Sequence, residues 1–286
     1  MAVEHVVVAG GGGLMGSGIA QVVATAGLRV TIVEVDEAAT ERGLQRIGRG
    51  LEKAGLEKAG PAQQEVLSRI STSTSLEEAG AGADHVIESV IEDIDAKADV
   101  LRRLDAVCRE DVILASNTSQ FPISKLAAFT TRPDRVIGSH WFNPPPQMKL
   151  IEVIRGVETS GATLETTLAL AERYGKETIV CRKDTPGFVT SRLIVSFMIE
   201  AARIVEEGIA DIDDVDKACK LGFGHAMGPL LTADLSGLDT VERVADNLAR
   251  NYGDRFLVPQ LVRSLVNAGH LGRKTGRGLR DYGEAR

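Results

Sequence analysis

Four consecutive glycines, Gly10 to Gly13, follow directly on the apolar run Val6–Ala9, and Gly16 stands three residues further on. No other feature restricts the fold of this chain as sharply. Three adjacent valines with no polar residue between them fit a strand covered on both faces, as in a parallel sheet. A helical pattern, Gly16–Ala26, starts where the glycines end, so the segment reads strand, tight loop, helix. Gly11, Gly13 and Gly16 then fall in the spacing G-x-G-x-x-G. In that spacing the first glycine makes the turn, the second admits a pyrophosphate close to the backbone, and the third lets helix pack on strand. The unpaired N–H groups and macrodipole at the helix start favour an anion there. Glycine-rich turns are common, and Gly10 and Gly12 blur the register, so the weight lies in the placement between strand and helix. Leu14 and Met15, inside the loop, belong to the same expected dinucleotide site.

The next apolar run, Val30–Val33, ends in Glu34. A carboxylate at that point accepts hydrogen bonds from both ribose hydroxyls of NAD and repels the 2′-phosphate of NADP. Val35, Asp36 and Glu37 follow, with no arginine close in sequence to favour the phosphate. NAD is the expected cofactor, with Asp36 as the fallback acid if the strand runs longer.

Further β-branched runs at Val86–Val90, Val112–Ala115, Arg135–Gly138 and Glu177–Cys181 alternate with amphipathic stretches such as Ala96–Cys108. Strands separated by helices imply right-handed crossovers, hence an α/β domain with a doubly wound, mostly parallel sheet of the Rossmann type. Around Asp184 the rhythm changes. Phe188–Glu207 carries Leu193, Phe197, Ala201, Ile204 and Val205 at helical spacing, Asp211 reads as an N-cap, and Thr240–Asn251 and Pro259–Ala268 are helical again. The expected organisation is a dinucleotide-binding domain over residues 1–183 and a smaller, all-helical substrate and dimerisation domain over 184–286.

The bulk numbers exclude several functions. Of 286 residues, 33 are Lys or Arg and 40 are Asp or Glu, a net charge of −7, and no basic stripe offsets it, so nucleic acid is not an expected partner. Cys108, Cys181 and Cys219 are scattered and fit neither a zinc site nor a disulfide framework. No metal is expected, no apolar run reaches membrane-spanning length, and no basic segment precedes the first strand. A cytoplasmic protein is the expectation.

Among five histidines, His140 differs from the rest. It follows the apolar run Val136–Gly138 and precedes the stiff turn Trp141-Phe142-Asn143-Pro144-Pro145-Pro146. That places it at the carboxyl end of a strand, where open α/β sheets bind ligands. Oxidising an alcohol by hydride transfer needs a base for the hydroxyl proton, and an imidazole suits neutral pH. The base also needs a carboxylate to orient it. Glu92, just past Val86–Val90, is the candidate orienter, and the cluster Asn117-Thr118-Ser119 lies at another strand end.

These segments together resemble the short-chain L-3-hydroxyacyl-CoA dehydrogenase family, most of all its bacterial 3-hydroxybutyryl-CoA dehydrogenases. The resemblance rests on Gly11–Gly16 with Met15, Ala83–Glu88, Glu92, Ser116–Ser119 and His140–Pro144. It continues through Asp184–Phe188, Met227-Gly228-Pro229 and Leu271–Gly278, and so spans nearly the whole chain. It implies His140 as general base with Glu92 as its partner, and Ser119 as donor to the substrate oxygen. It implies Asn143 near the substrate, Lys97 and Asn117 near the nicotinamide half of NAD, and a homodimer closed by the helical domain. The substrate would be an acyl thioester of coenzyme A.

The chain departs from the family at identifiable places. Ser191 stands where relatives carry asparagine, Gly224 and Ala226 flank His225, and Leu279-Arg280 replaces Phe-Tyr. Near Gly50, where relatives often place a serine and several lysines against coenzyme A, Gly50–Lys58 lacks the serine, is acidic in places and keeps only Lys53 and Lys58. These changes leave a second reading open, in which the same chemistry acts on a substrate tethered to an acyl carrier protein or on a free hydroxy acid. A dinucleotide-binding protein without turnover is the third reading, and intact His140, Glu92 and Ser119 argue against it.

Overall fold

The computed structural model describes residues 3–283 and divides into two compact units, with the break between Thr185 and Pro186. The first unit runs β1 (His5–Ala9), α1 (Leu14–Thr25), β2 (Arg29–Val33), α2 (Glu37–Lys53), α3 (Pro61–Leu67), β3 (Ile70–Ser73), α4 (Leu76–Ala81), β4 (His85–Glu88), α5 (Ile94–Val107), β5 (Ile113–Ser116), α6 (Ile123–Ala127), β6 (Val136–Trp141), β7 (Leu150–Arg155), α7 (Gly161–Arg173) and β8 (Glu177–Cys181). The strands form one sheet in the order β3-β2-β1-β4-β5-β6-β7-β8. Neighbours are parallel except at β6 and β7, which run antiparallel. The strand order reverses between β1 and β4, the switch point at which such sheets open a crevice for ligands. Val6, Val8, Val30 and Ile32 of the central strands are fully buried, which is why they read as unbroken apolar runs.

Two strands went unexpected. β3 is Ile-Ser-Thr-Ser at the sheet edge, half-exposed or exposed throughout, so it has no hydrophobic signature. β7, Leu-Ile-Glu-Val-Ile-Arg, has its apolar run broken by Glu152, a residue with no solvent exposure at all.

The second unit holds α8 (Thr190–Glu206), α9 (Ile212–Gly222), α10 (Pro229–Ser236), α11 (Leu238–Tyr252) and α12 (Gln260–Asn267). Asp211 caps α9 by accepting from Asp214 N–H. A separate core forms around Val195, Ile199, Leu230, Leu238 and Leu248. No strand occurs in this unit among the described residues, only isolated bridges near Arg277.

Candidate active site

The glycine loop leaves β1 at Gly10, whose φ of +82° is the left-handed conformation that glycine alone adopts freely. That requirement falls one residue before the glycine the spacing singles out for the turn. Gly11 is needed for a different reason, since a side chain there would lie 2.5 Å from Ile32 Cβ, and one on Gly16 would lie 2.1 Å from Gly10 O. A Cβ on Gly13 would meet only Gly10 O, at an ordinary 3.4 Å, so no neighbouring group crowds its backbone. Gly13 is also the N-cap of α1, with no side-chain cap and no acidic residue in the first turn. The helix thus presents unpaired N–H groups to an anion, as a pyrophosphate requires. Leu14, Val35 and Ile91, at the starts and ends of the elements that frame the crevice, are 60%, 89% and 73% exposed. Apolar surface of this kind suits a flat base. The residues present fit a dinucleotide.

Glu34 follows β2, and its Oε1 accepts Gly12 N–H at 2.8 Å. β2 ends at Val33, so the longer strand on which Asp36 depended does not form, and its carboxylate caps α2 by accepting from Ala39 N–H at 2.7 Å.

His140 sits near the end of β6, 8% exposed, with Phe142 against its ring at 4.7 Å between centroids. Its Nδ1 lies 3.0 Å from Oε2 of Glu152, not of Glu92. The pairing of β6 with β7 puts His140 directly opposite Glu152, so both side chains leave the same face of the sheet within reach of each other. Glu92 is turned elsewhere. Its Oε1 accepts from Thr118 Oγ1, Ser119 N–H at 3.0 Å and Gln120 N–H at 3.2 Å, and its Oε2 meets Lys97 Nζ at 3.2 Å. The loop after β4 folds back on α5, where Lys97 and the β5 loop draw the carboxylate in. The carboxylate against His140 is therefore Glu152, where the sequence led one to expect Glu92.

Lys97 is completely buried and also donates to Glu88 Oε1 at 2.8 Å, while Ser116 Oγ donates to the other oxygen of Glu88. Burial pulls the Lys97 ammonium down, but Glu88 and Glu92 outweigh it and hold its pKa above the usual lysine value. Asn117 accepts Trp141 N–H at 2.9 Å and donates to Ser89 Oγ at 3.1 Å, tying the ends of β4, β5 and β6 together. Ser119 is half-buried beside this network, and Asn143 is exposed in the turn after β6. That turn is seated on the cofactor helix, since Gly18 of α1 leaves room for Pro145, whose Cδ would lie 2.7 Å from any Cβ there. Lys176 clamps it from the other side by donating to Pro145 O and Met148 O, both at 2.7 Å. Sequence order gave no signal for Lys176, and it gave Glu88 only as the end of a motif; the sheet topology shows what each holds.

The comparisons with known proteins agree with this geometry. Residues 5–185 match the family model described as 3-hydroxyacyl-CoA dehydrogenase, NAD binding domain, and residues 187–282 match its C-terminal domain. A probable 3-hydroxybutyryl-CoA dehydrogenase of Bacillus subtilis is 46% identical over 99% of both chains. The crystal structure of an (S)-3-hydroxybutyryl-CoA dehydrogenase from Ralstonia eutropha superposes with a TM-score of 0.93 at 41% identity, covering 99% of this chain and all of that one. A diketoreductase described as acting on dicarbonyl compounds has a TM-score of 0.85 at 28% identity, with 99% and 100% coverage. The chain belongs to the 3-hydroxyacyl-CoA dehydrogenase family.

The structure accounts for some of this dehydrogenase's departures from its family. A side chain on Gly50 would fall 2.1 Å from Gln21 Oε1, the tip of a side chain that can turn aside, so the packing of α2 on α1 does not by itself demand glycine there. Gly224 has φ of +72°, and the His225 ring that follows packs edge-on against Phe197. Arg280 pairs with Asp213 at 3.0 Å and Asp216 at 2.9 Å, while buried Asp234 accepts from the Leu279 and Arg280 N–H groups and from Tyr282 Oη. The C-terminal segment is thereby fastened to the helical unit. Ser191 is half-buried in the first turn of α8, and nothing within its unit explains the change from asparagine.

Proposed function

We propose that this chain interconverts a short-chain 3-hydroxyacyl-CoA and the matching 3-ketoacyl-CoA with NAD, with His140 as general base. The observation that carries the reading is the His140–Glu152 dyad, fixed across a strand pair at the carboxyl end of the sheet that holds the glycine loop. With Glu152 ionised, His140 Nδ1 carries the proton it donates, and Nε2 is the basic nitrogen. On oxidation Nε2 takes the C3 hydroxyl proton as carbon and oxygen become the ketone, and bound NAD would supply the acceptor for the C3 hydride. On reduction the imidazolium returns the proton. Ser119 donates to the substrate oxygen, and Asn143 helps hold the substrate. Gly11, Gly13, Leu14, Met15, Gly16 and Glu34 bind the adenosine diphosphate half of NAD, with Glu92, Lys97 and Asn117 at the nicotinamide half.

Coenzyme A is favoured as the handle by the relatives' names and by α2. Arg42, Arg49 and Lys53 lie along it at helical spacing, exposed and without a salt bridge among the described residues, and a diphosphate attracts such a face. Ser191 and the diketoreductase likeness favour the second reading, a carrier-protein thioester or free acid. NADH consumption with acetoacetyl-CoA, its pantetheine thioester and acetoacetate separates them. A kcat/KM for acetoacetyl-CoA above about 10⁶ M⁻¹s⁻¹ assigns the handle to coenzyme A; equal rates on all three remove it.

The protein is further proposed to act as a homodimer through α8, on which Leu193 is 66% and Ile194 39% exposed beside Phe197. Continuous apolar surface of this kind calls for a partner, and a monomer mass by light scattering at micromolar concentration would contradict it. No described helix is long and apolar enough to cross a membrane. Three buried free cysteines favour a reducing cytoplasm.

A further inference from the structure

The second helix brings to the glycine loop a cation that lies far from it in sequence. Gly12 is pressed against α2, since a Cβ on it would fall 2.3 Å from Ala39 O, and one on Gly43 would fall 2.8 Å from Gly12 Cα. At this contact opposite charges hold the two peptide groups of Gly12. Glu34 accepts its N–H at 2.8 Å, and Arg46, in the third turn of α2, donates from Nη1 to its carbonyl at 2.6 Å. The two side chains reach the same residue yet form no salt bridge with each other. Arg42 and Arg49, one turn before and after on the helix, make no recorded hydrogen bond to the loop.

We propose that Arg46 is a latent acceptor for the 2′-phosphate of a phosphorylated dinucleotide, silenced by Glu34. The inference rests on the dinucleotide reading above. Glu34 Oε1 keeps lone pairs beyond the one given to Gly12, and Oε2 lies 3.4 Å from Val35 N, so the carboxylate can still accept from ribose hydroxyls. A doubly charged phosphate in their place meets a carboxylate and is repelled. Without Glu34 the charge bonded to the loop is the Arg46 guanidinium, whose planar fork matches phosphate oxygens. A purely structural Arg46, buttressing the Gly12 carbonyl, has a different consequence. Its loss would loosen the loop for both dinucleotides alike.

The test is direct binding to the whole protein, by fluorescence titration of NADH and NADPH, without turnover. Wild type should prefer NADH by about a hundredfold or more, and Glu34→Ala should bring the two within about tenfold. Adding Arg46→Met to Glu34→Ala should weaken NADPH about tenfold while moving NADH less than about threefold. In the Glu34→Ala background, Arg46→Lys should keep part of the NADPH affinity that Arg46→Met loses. Adenosine 2′,5′-bisphosphate, measured against AMP, should follow the NADPH pattern. The proposal is overturned if the double variant keeps the NADPH affinity of Glu34→Ala, or loses both cofactors in parallel. A wild type that binds neither dinucleotide overturns the underlying reading as well, and that outcome is distinct from the other two.

Discussion

The carboxyl edge of the sheet contains two charged constellations built in opposite ways. At β6 and β7 a histidine and a carboxylate face each other because the antiparallel register puts them there, and each side chain is placed by the strand it belongs to. At β4 and β5 two carboxylates and one ammonium are knotted together by loop backbone, hydroxyls and a lysine from the first turn of α5. In the first, each side chain is held by its strand. In the second, the carboxylates hold the Lys97 ammonium above the usual lysine pKa. Register positions a reacting group, whereas a charge knot shapes a binding surface. Changes in the two regions should accordingly separate kcat from KM.

The largest effect is expected at the dyad. His140→Gln removes the base and should lower kcat about a hundredfold or more, with NADH affinity nearly unchanged. A variant with near-normal kcat would remove His140 from the mechanism. Glu152→Gln keeps size and burial but withdraws the charge that stabilises the imidazolium, and should cost about ten- to a hundredfold in kcat. If Glu152→Gln matches wild type in kcat, the contact is only packing.

A smaller effect is expected in the knot. Glu92→Gln should raise KM for NADH by about tenfold and leave kcat within about threefold, as for a group that shapes binding. Loss of kcat equal to that of Glu152→Gln would erase the distinction between the two regions and return Glu92 to the role first expected of it.

The same contrast explains what could be read before the structure. The glycine loop, Glu34 and His140 are local signals, each carried by its neighbours in sequence. The parallel core strands announced themselves through unbroken valine and isoleucine, and α8, α11 and α12 through helical spacing. Glu152 could not be found this way. It lies twelve residues beyond His140 in a strand that reads as interrupted, and its meaning depends on an antiparallel pairing that no local pattern specifies. Glu92 was visible as an acid at a strand end but not as an acid already engaged by Lys97, Thr118 and two backbone N–H groups. Arg46 was invisible for the same reason as Glu152, because only the packing of α2 on the loop brings it to Gly12.

The smallest effect on the reaction should come from the far end of β4, and it sharpens the comparison by removing the site from it. His85 opens the strand that Glu88 closes, paired with Val6 on one side and Ile113 on the other. It is 2% exposed, and its Nδ1 has no hydrogen-bond partner among the described residues. Burial drives its pKa down to about 4, against an ordinary 6.5. Below pH 6.5 the unfolded chain therefore takes up a proton that the folded chain refuses, so stability is full above that pH and falls as pH drops toward 4. Between pH 7 and 5 the loss from this one group is about 2 kcal/mol. His85→Leu keeps the volume and abolishes the proton uptake. Urea unfolding of both proteins should show the stability difference shifting in the variant's favour by about that amount from pH 7 to pH 5, with kcat and KM at pH 7 unchanged. A difference that stays constant with pH would mean that His85 finds its proton, or a partner, in the folded state. A change in kcat would mean that the two ends of β4 are not independent.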